Sequence, residues 1–336
     1  MLFKSSNTLR LYAQISSDVD MNSIQSTLVF VEEKHIKNII GKELYATLND
    51  AYAVALSDDE LAPLPLKKLL EQCRKVIGPM LCYYFAPKAD VQLSDSGLQR
   101  VESDTNKTAY QYQNTAFAQA NLREGEACTE SLMSFLEENI SKYPEWANSA
   151  AFKKFKSLFI KTGSEFDDLY TSQTPYRNYY AVRTKMFDVE ENNIRDLLGD
   201  VMFEELKSID ADTSKSFSAQ QLRLMVMIKK TIAYLTIAFA IPTLNVRIDA
   251  AGLSVMALAN YSSSDKENTR GGADDNARVE LIKSCQASAD IWIISIVKFL
   301  KKNKTDFSTW KGFDIAVPIV YTPSVNGDLS STFGLI

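Results

Sequence analysis

The sequence predicts a mainly α-helical protein: two tandem copies of one helical domain, each with a small protruding β-hairpin, followed by an extended C-terminal arm. Three self-matches predict it. IKNIIGKELYATL from Ile36 returns as IRDLLGDVMFEEL from Ile194, and VQLSDSGL from Val91 returns as VRIDAAGL from Val246. FLEENISKYPEW, ending at Trp146, returns as FLKKNKTDFSTW, ending at Trp310. The matches keep their order, and the offsets (194 − 36 = 158, 246 − 91 = 155, 310 − 146 = 164) drift little enough for loops to absorb. Solenoid repeats run to roughly 20–50 residues, so this much longer period marks whole domains. The expected division is 1–146, 147–312 and an arm at 313–336, and each copy is long enough to bury its own core.

The elements follow in order. Ile24, Leu28, Val31, Ile39, Leu44 and Leu48 recur at helical spacing, with Gly41 as the point where that helix breaks. After the acidic loop SDDELAP, Leu66 to Phe85 forms a second helix, with a kink expected at Gly78-Pro79 and closure at Pro87. Val91 and Leu93 then alternate with polar residues before Gly97 and Leu98, which predicts a hairpin with Gly97 at a positive φ in the turn. Val246, Ile248, Gly252 and Leu253 repeat it. A long helix reaches about Asn139 through Phe117, Leu122, Leu132 and Leu136. The second copy opens with FKKFKSLFIKTGSEFDDLY, which MLFKSSNTLRLY parallels in the first. In the tail, Phe313, Ile315, Val317, Ile319 and Tyr321 alternate with the period of a strand, and Pro318 and Pro323 argue against a helix. An arm that ends in Phe333, Leu335 and Ile336 has reason to dock on a partner.

Composition narrows the function classes. Net charge is −5 and no basic block of five or more occurs, which disfavours a sequence-specific nucleic-acid reader. The run TIAYLTIAFAI, from Thr231 to Ile241, is about half of what a membrane span needs and reads as a buried helix, so no membrane partner is expected. MLFKSSNTLRLYAQISSD lacks a sustained apolar stretch and does not resemble a secretory signal, which predicts synthesis in the cytoplasm. Cys73, Cys82, Cys128 and Cys285 form no C-x-x-C pair and read as free thiols within helices.

Catalytic groupings are sparse, and neither an enzyme nor a cofactor is expected. The single histidine, His35, sits on an apolar stripe and is replaced by Asn193 in the second copy. One histidine cannot build a triad partner set and a His-based zinc site. Gly271-Gly272 lacks the strand and Lys of a phosphate loop. The acidic clusters at Asp58 to Glu60, Glu137-Glu138 and Asp188 to Glu191 read as solvated faces; Glu33 and Glu191, at matched positions, are the pair a metal-dependent hydrolase would use, with few ligand-type residues beside them. Trp146 and Trp310 read as core anchors.

Helical domains with hairpins and an arm suit assembly, because an exposed strand can extend a neighbour's sheet and a heterologous contact with the right rotation closes a ring. The IxxxxG helix, the long apolar helix ending in Pro, the VxLSDSGL hairpin and the final long helix together resemble the head-tail connector (adaptor) proteins of tailed bacteriophages. The tandem form resembles the neck ring proteins of crAss-like phages. This resemblance implies a virion protein in a six-fold or twelve-fold ring of its own copies, assembled in the host cytoplasm at the head-tail neck. Its implied partners are the portal, neighbouring neck and tail proteins, and DNA that passes without sequence recognition. The implied contact residues are Val91, Leu93, Gly97 and Leu98 in the first hairpin; Val246, Ile248, Gly252 and Leu253 in the second; and Phe313, Ile315, Val317, Ile319, Tyr321 and Phe333 in the arm. The alternative reading is a soluble binding module whose two domains grip a protein partner.

Overall fold

The computed structural model describes residues 1–312 except 18, 56, 62, 90, 96, 101–108, 150–151, 154–155, 173, 213, 245, 250–251, 256–257, 260–268 and 271–274. The expected arm, from Phe313 through Ile315, Val317, Ile319 and Tyr321 to Phe333, lies outside the described residues.

The first copy opens with α1 (Ser6–Arg10) and α2 (Met21–Val31), whose end passes through a π-helical segment (Glu32–Lys37) into α3 (Asn38–Ile40). Then come α4 (Lys42–Val54), α5 (Leu64–Ala89), strands β1 (Val91–Ser94) and β2 (Gly97–Arg100), α6 (Gln111–Glu138) and α7 (Pro144–Ala147). The second copy repeats the order as α8 (Gly163–Leu169), α9 (Pro175–Val189), a π-helical segment (Glu190–Ile194), α10 (Arg195–Leu198), α11 (Asp200–Ala211), α12 (Ala219–Leu244), β3 (Val246–Asp249), β4 (Gly252–Val255) and α13 (Asp275–Lys302). A short ladder of β5 (Leu258–Ala259) with β6 (Thr269–Arg270) precedes α13.

The long helices match in length across the copies, 26 residues for α5 and α12 and 28 for α6 and α13. Each pair is antiparallel. The Tyr143 hydroxyl, beyond the end of α6, donates to the carbonyl of Pro65 at the start of α5 (2.9 Å), while Gly125 lies against Met80 further along. The hairpin between them therefore sits at the far end of a helix pair about 40 Å long. By length and composition α12 is also apolar enough to cross a membrane, yet 67% of its most apolar window is buried within the protein. Its apolarity serves the second core, which includes Leu224, Ile228 and Ile232.

Two cores result, one running from Leu2 to Phe152 and the other from Leu158 to Trp310, so they part a few residues beyond Trp146. Helices as short as α1 and α3 are not stable alone in water and depend on burial. Leu9 and Ile40, both fully buried, supply it, at roughly 1.5–3 kcal/mol per side chain.

Four devices recur at matched positions. Gly41 (φ 82°, ψ 162°) and Gly199 (φ 77°, ψ 152°) break the helix in a region essentially closed to other residues. The break exposes the last carbonyls of the preceding turn, and an indole takes up one of them: Trp146 Nε1 donates to Ile39 (3.0 Å) and Trp310 Nε1 to Leu197 (3.3 Å). Lys4 donates to the Ala53 and Ala55 carbonyls at the end of α4, as Lys161 does to Asp210 at the end of α11. Buried Glu32 accepts from the Leu2 amide, and buried Glu190 from the Phe159 amide, each at 2.7 Å. The second oxygen is taken by the Tyr45 hydroxyl in the first copy and by Lys207 in the second. The offset between Lys4 and Lys161 extends the duplication into the opening segments (161 − 4 = 157).

Because nothing lies within 4 Å of a Cβ at Gly199, its substitution isolates the backbone effect. Gly199→Ala lowers stability by about 1–3 kcal/mol with an unchanged m-value in urea unfolding. A loss below about 0.5 kcal/mol would refute the strained-glycine account.

The structure departs from the sequence reading at three places. Pro87 does not close α5, which continues to Ala89; Pro242 is likewise inside α12. Only the final turn is affected, and the terminal carbonyls of α12 take side-chain donors, Thr243 Oγ1 to Ala240 (2.9 Å) and Arg278 to Ile241 (3.2 Å). Helix α5 runs unbroken through Gly78-Pro79, where the glycine has another purpose: a Cβ there would lie 1.9 Å from the Tyr12 carbonyl oxygen. Finally, Gly97 pairs with Ser94 and Gly252 with Asp249, so each glycine is the first residue of its strand and not the centre of the turn.

Arg74 is the largest fully buried side chain. Its guanidinium donates to the Leu2 carbonyl (2.9 Å), to the Tyr52 hydroxyl (2.7 Å) and by two nitrogens to Asp58 (2.5 and 3.0 Å). It also lies 5.0 Å from the ring centres of Phe3 and Tyr52. One cation thus joins the opening segment, α4, the loop after it and α5. In the second copy the equivalent position holds Lys229, which pairs with Glu165 of α8.

Candidate assembly interface

Both hairpins have the same register. Val91 faces Arg100, Leu93 faces Leu98 and Ser94 faces Gly97; Val246 faces Val255, Ile248 faces Leu253 and Asp249 faces Gly252. The structure therefore places the eight hairpin residues that the resemblance implies at equivalent rungs of two antiparallel ladders, each following the first long helix of its copy.

The histidine and the matched glutamates have structural partners. His35 is half-buried against Tyr84, with Nε2 3.2 Å from its hydroxyl, and burial, aided by Lys34, pushes the imidazole down to about 4. Glu33 pairs with Lys37 (3.1 Å) and Glu191 with Arg195 (2.9 Å), each one helical turn along its own helix. Among the described residues no cluster of three His, Cys, Asp or Glu side chains is placed to hold a metal ion. Asp58 belongs to the Arg74 anchor, and Arg74 holds its carboxyl below the usual range.

The acidic residues of α6 have a role that the sequence reading missed. Glu137 is not a solvated residue: its two oxygens accept from the amide of Gly163, the first residue of α8, at 3.1 and 3.0 Å. Two turns earlier Glu130 accepts from the amides of Tyr176 and Arg177 in the first turn of α9, at 2.8 and 3.0 Å. Glu126 completes the stripe by pairing with Arg177 (3.0 Å). Carboxylates on one face of α6, the first copy's last long helix, thus cap two helices that open the second copy, where free amides and the helix dipole favour negative charge. Tyr180 packs against both cores, and Arg183 lies 4.4 Å from its ring centre. Gly163 is required by proximity, since a Cβ there would meet the Tyr176 Cα at 2.8 Å. The one signal in the sequence was the loss of two of these acids from the second copy, where Ile294 stands in place of Glu130 and Lys301 in place of Glu137.

Burial raises the Glu137 carboxyl to about 7, against the pull of the Gly163 and Ser164 amides and with a further push from Glu130. A folded value above the unfolded one means that the folded state holds the extra proton. The associated stability is complete below about 4.5 and is lost as pH rises through 7. Glu137→Gln, a permanently neutral side chain, therefore gains stability relative to the natural chain between pH 5 and 8, by on the order of 2 kcal/mol. Parallel urea titrations at the two pH values measure this, and a pH-independent difference would exclude it.

No curated protein and no solved structure matches the chain. Residues 36–156 and 194–314 each match a family described as "Family of unknown function (DUF6712)". The two matched segments are separated by the same 158 residues at both ends (194 − 36 and 314 − 156) and together cover well over half of the sequence. The chain belongs to the DUF6712 family and carries its unit twice, in tandem.

Proposed function

We propose that this protein is a structural, non-enzymatic component of a phage particle, forming a ring in the neck that connects head to tail. The observation that carries the reading is the repetition: two copies of one helical unit, docked front to back by a stripe of carboxylates, with a hairpin at the same place in each. A unit that already docks on its own duplicate suits repeated heterologous assembly. The sequence resemblance to head-tail connector proteins supplies the location, with the portal and adjoining neck or tail proteins as partners. Residues Phe313 to Ile336 are assigned to portal docking. The modest net negative charge suits a conduit to which passing DNA does not adhere.

The test is to locate the chain on purified DNA-containing particles with a labelled antibody. Label at the single vertex where head meets tail is the expected result. Particles that lack the chain while the lysate contains it would overturn the reading in favour of a soluble binding module. A chain lacking Phe313 to Ile336 is expected to fold but not to enter particles, and its normal incorporation would remove the arm from the proposal.

A further inference from the structure

The joint between the copies has two unused halves. Offset by 164 residues, Glu126, Glu130 and Glu137 of α6 correspond to Asp290, Ile294 and Lys301 of α13. The first three are partly covered by the second copy, whereas the latter three are exposed. The core faces agree: Leu132 and Leu136 are fully buried, as are Ile296 and Leu300. Beside the stripe Ile291 is 64% exposed, and within it Ile294 is 41% exposed. Ile294 thus stands open where the first copy places the Glu130 carboxylate against α9, and Ile291 stands open beside it.

The opposite half is at the other end of the chain. Tyr180 and Arg183, half-buried in the joint, correspond at an offset of 158 to Asn22 and Gln25 of α2, and both of these are exposed. They line a groove of about 530 Å³ whose walls include Met1, Phe3 and Met21. The groove is open where the equivalent surface of the second copy is covered.

We propose that α13 of one chain docks in the α2 groove of a second copy of the same chain, repeating between chains the front-to-back joint that α6 makes on α9 within one. Ile291 and Ile294 enter the groove beside Met1 and Met21. The occupant follows from continuity: the internal joint has the same two helix faces at matched positions. The chemistry is changed, since Ile294 and Ile291 meet a groove lined by Met1, Phe3 and Met21 together with Asn22, Gln25 and Asn49, in place of carboxylates on helix amides. That difference separates the two joints, because α13 offers Ile294 and Lys301 where the amides that open α8 and α9 require acids. The contact is heterologous and extends into a ring or a filament as its rotation dictates. The inference deepens the ring reading and rests on it for the biological setting only.

Analytical ultracentrifugation of the full chain over a concentration series tests it, with Ile294→Asp and the double variant Asn22→Cys with Ile294→Cys. The natural chain is expected to self-associate, and Ile294→Asp to weaken association about tenfold or more with an unchanged melting temperature, the side chain being exposed. Under mild oxidation the cysteine pair is expected to give covalent multimers that neither single variant gives. Association that Ile294→Asp leaves intact, with no covalent multimers, would overturn the joint while leaving the ring reading standing. A natural chain that stays monomeric throughout would also overturn it, and the ring reading would then be decided by labelling on particles alone.

Discussion

Arg74→Ala lowers the stability of the first copy by about 3–5 kcal/mol, the cost of emptying a fully buried site and stripping its hydrogen-bond partners. The guanidinium is 1% exposed and is shared by the Leu2 carbonyl, the Tyr52 hydroxyl and both oxygens of Asp58. Removal leaves a void between Phe3 and Tyr52 and strips partners from three groups, so the packing and polar losses act together. Arg74→Lys restores the charge but not the planar fork, and recovers only part of the loss. Lys283→Ala is the control: its pair with Glu280 is 65% and 72% exposed, and such a pair contributes at most about 1 kcal/mol. Denaturant unfolding of all three variants decides the matter. If Arg74→Ala costs no more than the control, the opening segment is held by apolar burial alone.

The double variant Glu130→Ala with Glu137→Ala uncouples the two copies. At pH 6 the Glu137 carboxyl is still largely protonated, and its loss together with that of Glu130 leaves the Gly163, Tyr176 and Arg177 amides without partners. Each lost cap costs about 1–2 kcal/mol, so the pair costs about 2–4 kcal/mol. The two cores are separate clusters bridged by Tyr180, so weakening the joint resolves a single unfolding transition into two. Calorimetry reads this directly. A single transition at the natural temperature would mean that apolar contact at the joint outweighs the capping.

Both predictions rest on contacts that the sequence does not display, and the reason is distance along the chain. Arg74 reaches Leu2 across 72 positions, and Glu137 reaches Gly163 across 26. Helical periodicity and turn chemistry operate within a few residues, so they locate elements without naming what those elements touch. Glu137 looks solvated in its own helix, and only the placement of α8 gives it two hydrogen bonds. Trp146 was legible as an anchor, but its acceptor, Ile39, became evident only where the Gly41 break frees a carbonyl. Pro87 misled because a proline near a helix end removes just one bond of the final turn.

By itself the sequence determined the duplication, the order of elements in each copy, the helix break at Gly41 and the mainly helical class. Self-comparison and local periodicity carry that information without any knowledge of packing. The tertiary structure alone decided how one copy meets the next, which charges are buried and which helix faces stay uncovered. Those depend on surfaces brought together from distant parts of the chain, where burial removes water and turns an ordinary glutamate into a cap or an isoleucine into an open contact.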